Sequence, residues 1–321
     1  MANIHIPFES EGFPPGTTIG NAQGTLLVDW DDILWAAVTV GRPNRHYVFQ
    51  HGNASAYEAL FRWSLVRMAL EQSGPKGRRL HRTTAAKTLD PTEKGAVSYF
   101  LGMTFCKLFA SGLLNTPWLL HLDVFRPQLN VTLAARSRPD LVGQNPSTGE
   151  WHGFECKGRV SEPDTSVKTK AKQQAGRLIS VNGATCVLHV GSVTYFRKDI
   201  LHFYWRDPEP KKERPIVIPS LDNAWRSYYS PLIDLVQDSG TEMSLFKESG
   251  FQVEIKDADL AVGIHPAVAG PLLEGLWNEA HNIAVEVGPR LVAEGYQPDG
   301  IIVKAGDSWK RRFTEGRMDE G

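Results

Sequence analysis

The sequence has few cysteines: Cys106, Cys156 and Cys186 are the only three in 321 residues, and they lie far apart. They form no CxxC pair, so neither a disulfide framework nor a zinc ribbon is supported. An excess of one charge is also missing. Lys and Arg number 35 against 36 Asp and Glu, which excludes a globally basic coat and confines any polyanion-binding surface to local patches. There is no GxxxxGK loop and no HExxH helix, so the chain should not hydrolyse nucleotides by itself or act as a zinc peptidase. The opening MANIHIPFES lacks a basic stretch followed by an apolar run. No uninterrupted apolar stretch is long enough to span a bilayer, and a cytoplasmic protein with no membrane partner is expected.

Core-forming material is present. Hydrophobic residues make up 41% and charged residues 22%, enough for a packed interior. The length allows about two domains, and no internal repeat is visible. Thr25 to Trp30 and Ile33 to Val40 read as strands, with a helix over Ile33 to Val38 as the alternative for the second. A helix is predicted over about 55–73, with Ser55 and Glu58 at capping-box spacing and Tyr57, Leu60, Phe61, Leu65 and Met68 as one stripe. A basic loop, residues 76–82, follows. Asp90-Pro91 should open a second helix, because aspartate caps well and proline loses nothing in the first turn. Its stripe is Val97, Leu101, Thr104, Phe105 and Leu108, and Gly112 is a plausible stop.

The period then shortens. Trp118 to Phe125, Val131 to Ala135 and Trp151 to Lys157 read as strands, with Leu141-Val142 continuing an extended segment before a strong Asn145–Gly149 turn that precedes the last of them. Ser166 to Val181 reads as a helix, and Ala184 to Val190, Val193 to Phe196 and Leu201 to Trp205 as strands. Residues 207–215 are charged and proline-rich, the best candidate for a linker. Beyond them a helix near 221–238, a strand near 251–256, a long helix near 266–287 and a strand at Gly300 to Lys304 are expected. The central order is helix, three strands, helix, strand, an α/β or α+β arrangement. Three regions are therefore predicted: an extension or small module over 1–85, a core over 86–206 and a C-terminal α/β region over 207–321 that binds DNA or a partner.

One constellation carries chemistry. Arg138-Pro139-Asp140-Leu141-Val142 precedes the turn, and Gly153-Phe154-Glu155-Cys156-Lys157 follows it. Alternation along a strand puts Glu155 and Lys157 on one face and Phe154 and Cys156 on the other. A hairpin through the turn brings Asp140 beside Glu155. Two adjacent carboxylates repel, and a hard divalent cation neutralises them. Mg²⁺ prefers a few carboxylates plus water and phosphate oxygens. The backbone carbonyl of Cys156 is a further candidate ligand, and Lys157 can orient or deprotonate a water or offset phosphate charge. Two other ExK triplets exist. Glu209–Lys211 contains a proline, and Glu254–Lys256 has no Pro-Asp pair within hairpin reach. The other Pro-Asp pairs are at 163–164 and 298–299.

Pro139-Asp140 with Glu155-Cys156-Lys157 across a hairpin turn resembles the PD-(D/E)xK nuclease superfamily, with its restriction-endonuclease-like fold. The resemblance spans about a third of the chain. It implies Mg²⁺-dependent hydrolysis of DNA, with Mn²⁺ as a substitute, in a restriction, phage-defence, mobile-element or repair setting. It also implies an acidic residue on the first helix, for which Glu93 is the candidate. Glu93 fits equally as the partner of the Asp90 cap. A glutamine on the helix after the ExK strand is implied too, Gln174 or else Gln173, with Lys170 one turn before it.

Local charge suits a polyanion: residues 157–177 carry six basic side chains against Glu162 and Asp164. Alternative readings are a catalytically inactive DNA-binding or assembly subunit, and an RNase. A partner ATPase and a homodimer, since two strands need two sites, are further expectations.

Overall fold

The computed structural model describes residues 4–13, 19, 22–41, 54–73, 77–125, 132–133, 138–181, 184–207, 225–226, 228–229, 232–233, 251–256 and 259–310. In chain order the elements are β1 (Ile4–Glu11), β2 (Ala22–Val28), α1 (Trp30–Thr39), α2 (Ala54–Ala69), β3 (Leu70–Ser73), β4 (Arg79–Arg82), α3 (Thr84–Thr88), α4 (Pro91–Leu114), β5 (Leu119–His121) and α5 (Leu122–Phe125). There follow β6 (Thr132–Leu133), β7 (Leu141–Gln144), β8 (Trp151–Gly158), α6 (Thr165–Ala175), β9 (Leu178–Val181), β10 (Ala184–Arg197) and β11 (Ile200–Arg206). The last group is β12 (Phe251–Ile255), β13 (Leu260–Ile264), α7 (Pro266–Leu273), α8 (Trp277–Ala293) and β14 (Ile301–Ala305).

The fold is α/β. Eleven strands form one mixed sheet whose main path is β2-β1-β11-β10-β8-β7-β5. β5, β7 and β8 are an antiparallel meander, and β8 then pairs parallel with β10 across the connection that contains α6. The order of helix, three strands, helix and strand is met by α4, β5–β7–β8, α6 and β10, but the middle strand is Leu141–Gln144, whereas the strand expected over 131–135 shrinks to Thr132–Leu133 and pairs with β9. The described strands of residues 1–85 extend the sheet of this core: β1 lies parallel to β11, and β3 and β4 continue from the same edge. The three-stranded sheet β12-β13-β14 is separate. The 207–215 linker lies outside the described residues apart from Asp207, and so does most of the helix expected near 221–238.

Local chemistry fixes the long helix α4. Asp90 accepts from the backbone N–H groups of Thr92 and Glu93, and Glu93 returns a bond from the N–H of Asp90, closing the capping box. Asn115 in the left-handed region ends it, three residues beyond the expected stop. By length and composition α4 could cross a bilayer, but most of it is buried inside the fold. Phe109 stacks on Phe203 of β11 at 3.9 Å and meets Trp205 edge-on.

Several elements depart from expectation. Of the two readings for Ile33 to Val40 the helix holds, over Ile33 to Thr39 within α1, with Val40 as its extended C-cap. The helix at 54–69 gives way to β3, and its buried side is Ala59, Trp63, Val66 and Ala69, while Tyr57 and Phe61 face outward. That helix is apolar on more than one side, and the Trp63 indole, which donates to the carbonyl of Leu34, decides which side goes in. Arg79–Arg82, expected in a loop, forms β4, where Arg82 binds Asp199. The strand expected from Trp118 to Phe125 is cut to three residues before α5 begins. Helix α6 stops at Ala175, and Leu178–Val181 becomes β9. The 266–287 helix breaks between α7 and α8, where Gly275 adopts φ +77°. The two strands expected over 184–190 and 193–196 merge into one, β10, whose pairing with β8 and β11 runs unbroken through Gly191 and Ser192; Gly191 also lets α6 ride on it, since a Cβ there would lie 2.6 Å from the nitrogen of Lys172.

A buried imidazole gives this core a pH dependence. His281 stacks on Trp225 at 3.7 Å and meets Trp118 edge-on, and burial pushes its pKa down to about 3. The unfolded chain takes up that proton near pH 6.5, so the native state loses stability as pH falls below that value. We expect His281→Phe to flatten this acid arm, which in the wild type approaches about 1.4 kcal/mol per pH unit from this group. Urea unfolding at pH 7.5 and 5.5 measures the difference. Equal losses in both proteins would refute it.

Candidate active site

The site is built at the carboxyl end of β8. The hairpin that sets it is tight: Asn145 Oδ1 accepts from the N–H groups of Ser147 and Thr148, the N–H of Asn145 donates to Glu150, and Gly149 takes φ +74°. The register then pairs Leu141 with Phe154, which places Asp140 opposite Glu155. Asp140 Oδ2 accepts the backbone N–H of Cys156 at 2.8 Å. Glu155 Oε1 accepts from the Lys157 ammonium, so those two side chains share a face. Phe154 and Cys156 are buried in the core, the thiol of Cys156 against Cys106 of α4.

Both faces of β8 are held by close backbone approach. A Cβ on Gly158 would sit 1.7 Å from the carbonyl oxygen of Ser98, so α4 rests directly on the strand. On the other face Gly191, paired with Glu155, carries α6. Between the amino-terminal half of α4 and the exposed side of α6 a cleft of about 620 Å³ opens. Asp140, Lys157, Tyr99, Lys170, Arg159 and Gln174 are among its lining residues.

The electrostatics are unbalanced. Glu155 is 1% exposed and its Oε2 has no hydrogen-bond partner. Burial, then the nearby Asp140 carboxylate, push the Glu155 pKa up to about 7. Burial also raises Asp140, against the opposing pull of the Cys156 N–H and of Lys157. Lys157 is a quarter exposed and reaches from this pair into the cleft. Two carboxylates with one ammonium and one orphaned oxygen call for a proton or a cation. Among the described residues no three His, Cys, Asp or Glu side chains converge on one point. An ion held here would therefore take two carboxylates and complete its shell from a carbonyl, water or substrate, the habit of Mg²⁺.

The expected residues divide. Asp140, Glu155 and Lys157 come together, and Gln174 and Lys170 line the same cleft while Gln173 is exposed outside it. Glu93 does not join them: it is exposed, and its carboxylate is spent on the cap of α4. Of the basic run, Lys157, Arg159 and Lys170 line the cleft, but Lys168 turns to Glu9 and lies over the Tyr204 ring. Glu162 is taken up by Arg197.

Two neighbours were not legible from spacing. Tyr99 lines the cleft, and its hydroxyl meets His121 Nε2 at 3.3 Å. Burial lowers the pKa of His121, at the end of β5, and the nearby Asp140 charge opposes that shift. A helix position and a strand end twenty-two residues apart offer no local motif to find them by. Comparison with family models, curated proteins and solved structures returns no match to the chain.

Proposed function

We propose that the chain is a metal-dependent nuclease that hydrolyses phosphodiester bonds of DNA, of the PD-(D/E)xK kind. The observation that carries the reading is the orphaned Glu155 carboxylate oxygen, buried beside Asp140 and Lys157, which themselves line an open cleft. The order α4, β5–β7–β8, α6, β10 supports it, since it sets the Pro-Asp and ExK segments on adjacent strands.

Asp140 and Glu155 would hold Mg²⁺ or Mn²⁺, with the Cys156 carbonyl as a backbone candidate to assist. Such an ion, when bound, acidifies water and offsets charge that develops on phosphorus. The remaining work belongs to the chain. Lys157, anchored by Glu155, presents an ammonium that orients a water or neutralises a phosphate oxygen. Lys170 and Gln174, one turn apart on α6, face the same space from the opposite wall and position the backbone of the substrate. The cationic rim of Lys94, Arg159 and Lys170 gives salt-sensitive affinity for a polyanion.

The test is cleavage of plasmid, linear DNA and RNA by the full chain in Mg²⁺ or Mn²⁺, with EDTA as control. Nicking or cutting of DNA that EDTA abolishes is expected. Cleavage of RNA alone would reassign the substrate. Absence of cleavage on every form, with DNA still bound, would favour an inactive binding or assembly subunit, for which a partner ATPase or a second copy is the natural context.

A further inference from the structure

Three aromatic side chains are exposed among the described residues, and all three lie together. Tyr57 is 69% exposed, Phe61 54% and Tyr99 40%. Tyr57 and Phe61 are one turn apart on α2 and share an outward stripe with Ser64. Phe61 meets the Phe100 ring of α4 edge-on at 5.7 Å, and Phe100 meets Tyr99 at 6.1 Å. Tyr99 in turn lines the cleft beside Asp140. A continuous aromatic track thus runs from the outer face of α2 to the candidate active site, and it ends among cations, Lys94, Lys157, Arg159 and Lys170.

This arrangement has a specific chemical match. Exposed rings beside ammonium and guanidinium groups bind bases by stacking while the cations follow the phosphates. In a duplex the base faces are stacked on one another, so a ring can reach them only where the strand is unpaired. An aliphatic protein partner would not need the adjoining cations.

We infer that Tyr57, Phe61 and Tyr99 form a stacking platform that feeds an unpaired DNA strand into the cleft, so that single-stranded DNA or the single-stranded arm of a junction is the favoured substrate. This rests on the nuclease reading and narrows its substrate class.

Binding and cleavage are measured separately so that the two claims fail separately. Fluorescence anisotropy in EDTA compares a single-stranded oligonucleotide with a blunt duplex of the same sequence. The proteins are wild type, Tyr57→Ala/Phe61→Ala, the aromatic replacement Phe61→Tyr, and Leu27→Ala as a control exposed elsewhere on β2. The wild type should prefer the single strand. The double variant should lose single-strand affinity by on the order of five- to a hundredfold for each base that stacked. Phe61→Tyr and Leu27→Ala should behave as wild type. An unchanged single-strand affinity in the double variant, or no preference in the wild type, overturns the platform even if Mg²⁺-dependent cleavage persists. A shift in sedimentation from dimer to monomer on the double substitution, with DNA binding intact, overturns it in favour of a self-association face. Cleavage failing in every metal while stacking persists would remove the nuclease and leave a single-strand binder.

Discussion

Asp140→Asn should reduce metal-dependent cleavage on the order of a thousandfold or more while leaving the protein folded. The substitution separates two roles of one side chain. Asparagine still offers an oxygen to the N–H of Cys156, so the bond that fixes the start of β7 is kept. What is lost is the negative charge opposite Glu155. Glu155→Gln should behave alike, since an amide oxygen can still accept from Lys157. Neither change should lower the melting temperature in EDTA, because each removes a costly buried charge from a crowded pair. The distinguishing readout is the stabilisation by added Mg²⁺. A ligand that binds only the native state raises its stability in proportion to the logarithm of its concentration. The wild type should therefore melt higher in Mg²⁺, and both variants should not. Variants that cut at the wild-type rate would end the assignment of these carboxylates, whatever their melting behaviour.

The second large effect lies far from the cleft. Asp299 is fully buried, and its carboxylate accepts from the Trp35 indole at 2.8 Å and from the Tyr228 hydroxyl. The Tyr228 hydroxyl also accepts from the fully buried Lys107 ammonium at 2.6 Å, and Lys107 donates to the carbonyl of Pro117 as well. Lys107 further lies over the Trp35 and Tyr228 rings. Burial pushes Lys107 down to about 7 and Asp299 up, each held back by the other's charge. This cluster ties α1, α4 and the loop before β14. Asp299→Ala should cost about 3–5 kcal/mol, because it strands a buried amine and removes an acceptor from Trp35 and Tyr228. Adding Lys107→Met should recover part of the loss, so the double variant should be clearly more stable than the two single losses summed. Urea unfolding of the four proteins gives the coupling directly. Additive losses would mean the two charges do not sense each other.

The site was readable in sequence to the extent that its parts are local. Asp140, Glu155 and Lys157 are linked by one turn and two strands, and alternation alone puts the last two on a common face. Asp90 and Pro91 announced α4 in the same way. The readings that failed were those that a partner decides. Tyr57 and Phe61 belong to an apolar stripe at helical period, yet the bulk of Trp63 buries the other side of α2. Glu93 had two equally local options, and the cap of its own helix won over a more distant site. Pro298-Asp299, a dipeptide with the same letters as Pro139-Asp140, is a structural anchor. The burial that separates the two roles comes from Trp35 and Lys107, which lie far earlier in the chain. Gly158 and Gly191 gave no warning of how closely α4 and α6 approach.

The position of β1 carries a consequence for biosynthesis. Its outer neighbour β2 begins at Ala22, soon after β1 ends at Glu11, but its inner neighbour is β11, with Phe8 paired to Phe203. On the ribosome β1 lacks its inner strand partner until residue 206 has emerged, a wait on the order of ten seconds or more at ordinary elongation rates. Until then the edge of the hairpin is open to strands of other nascent chains. Slower transcription or cooler growth, which thin out neighbouring nascent chains, should raise the yield of native protein more than any stabilising substitution within the hairpin itself.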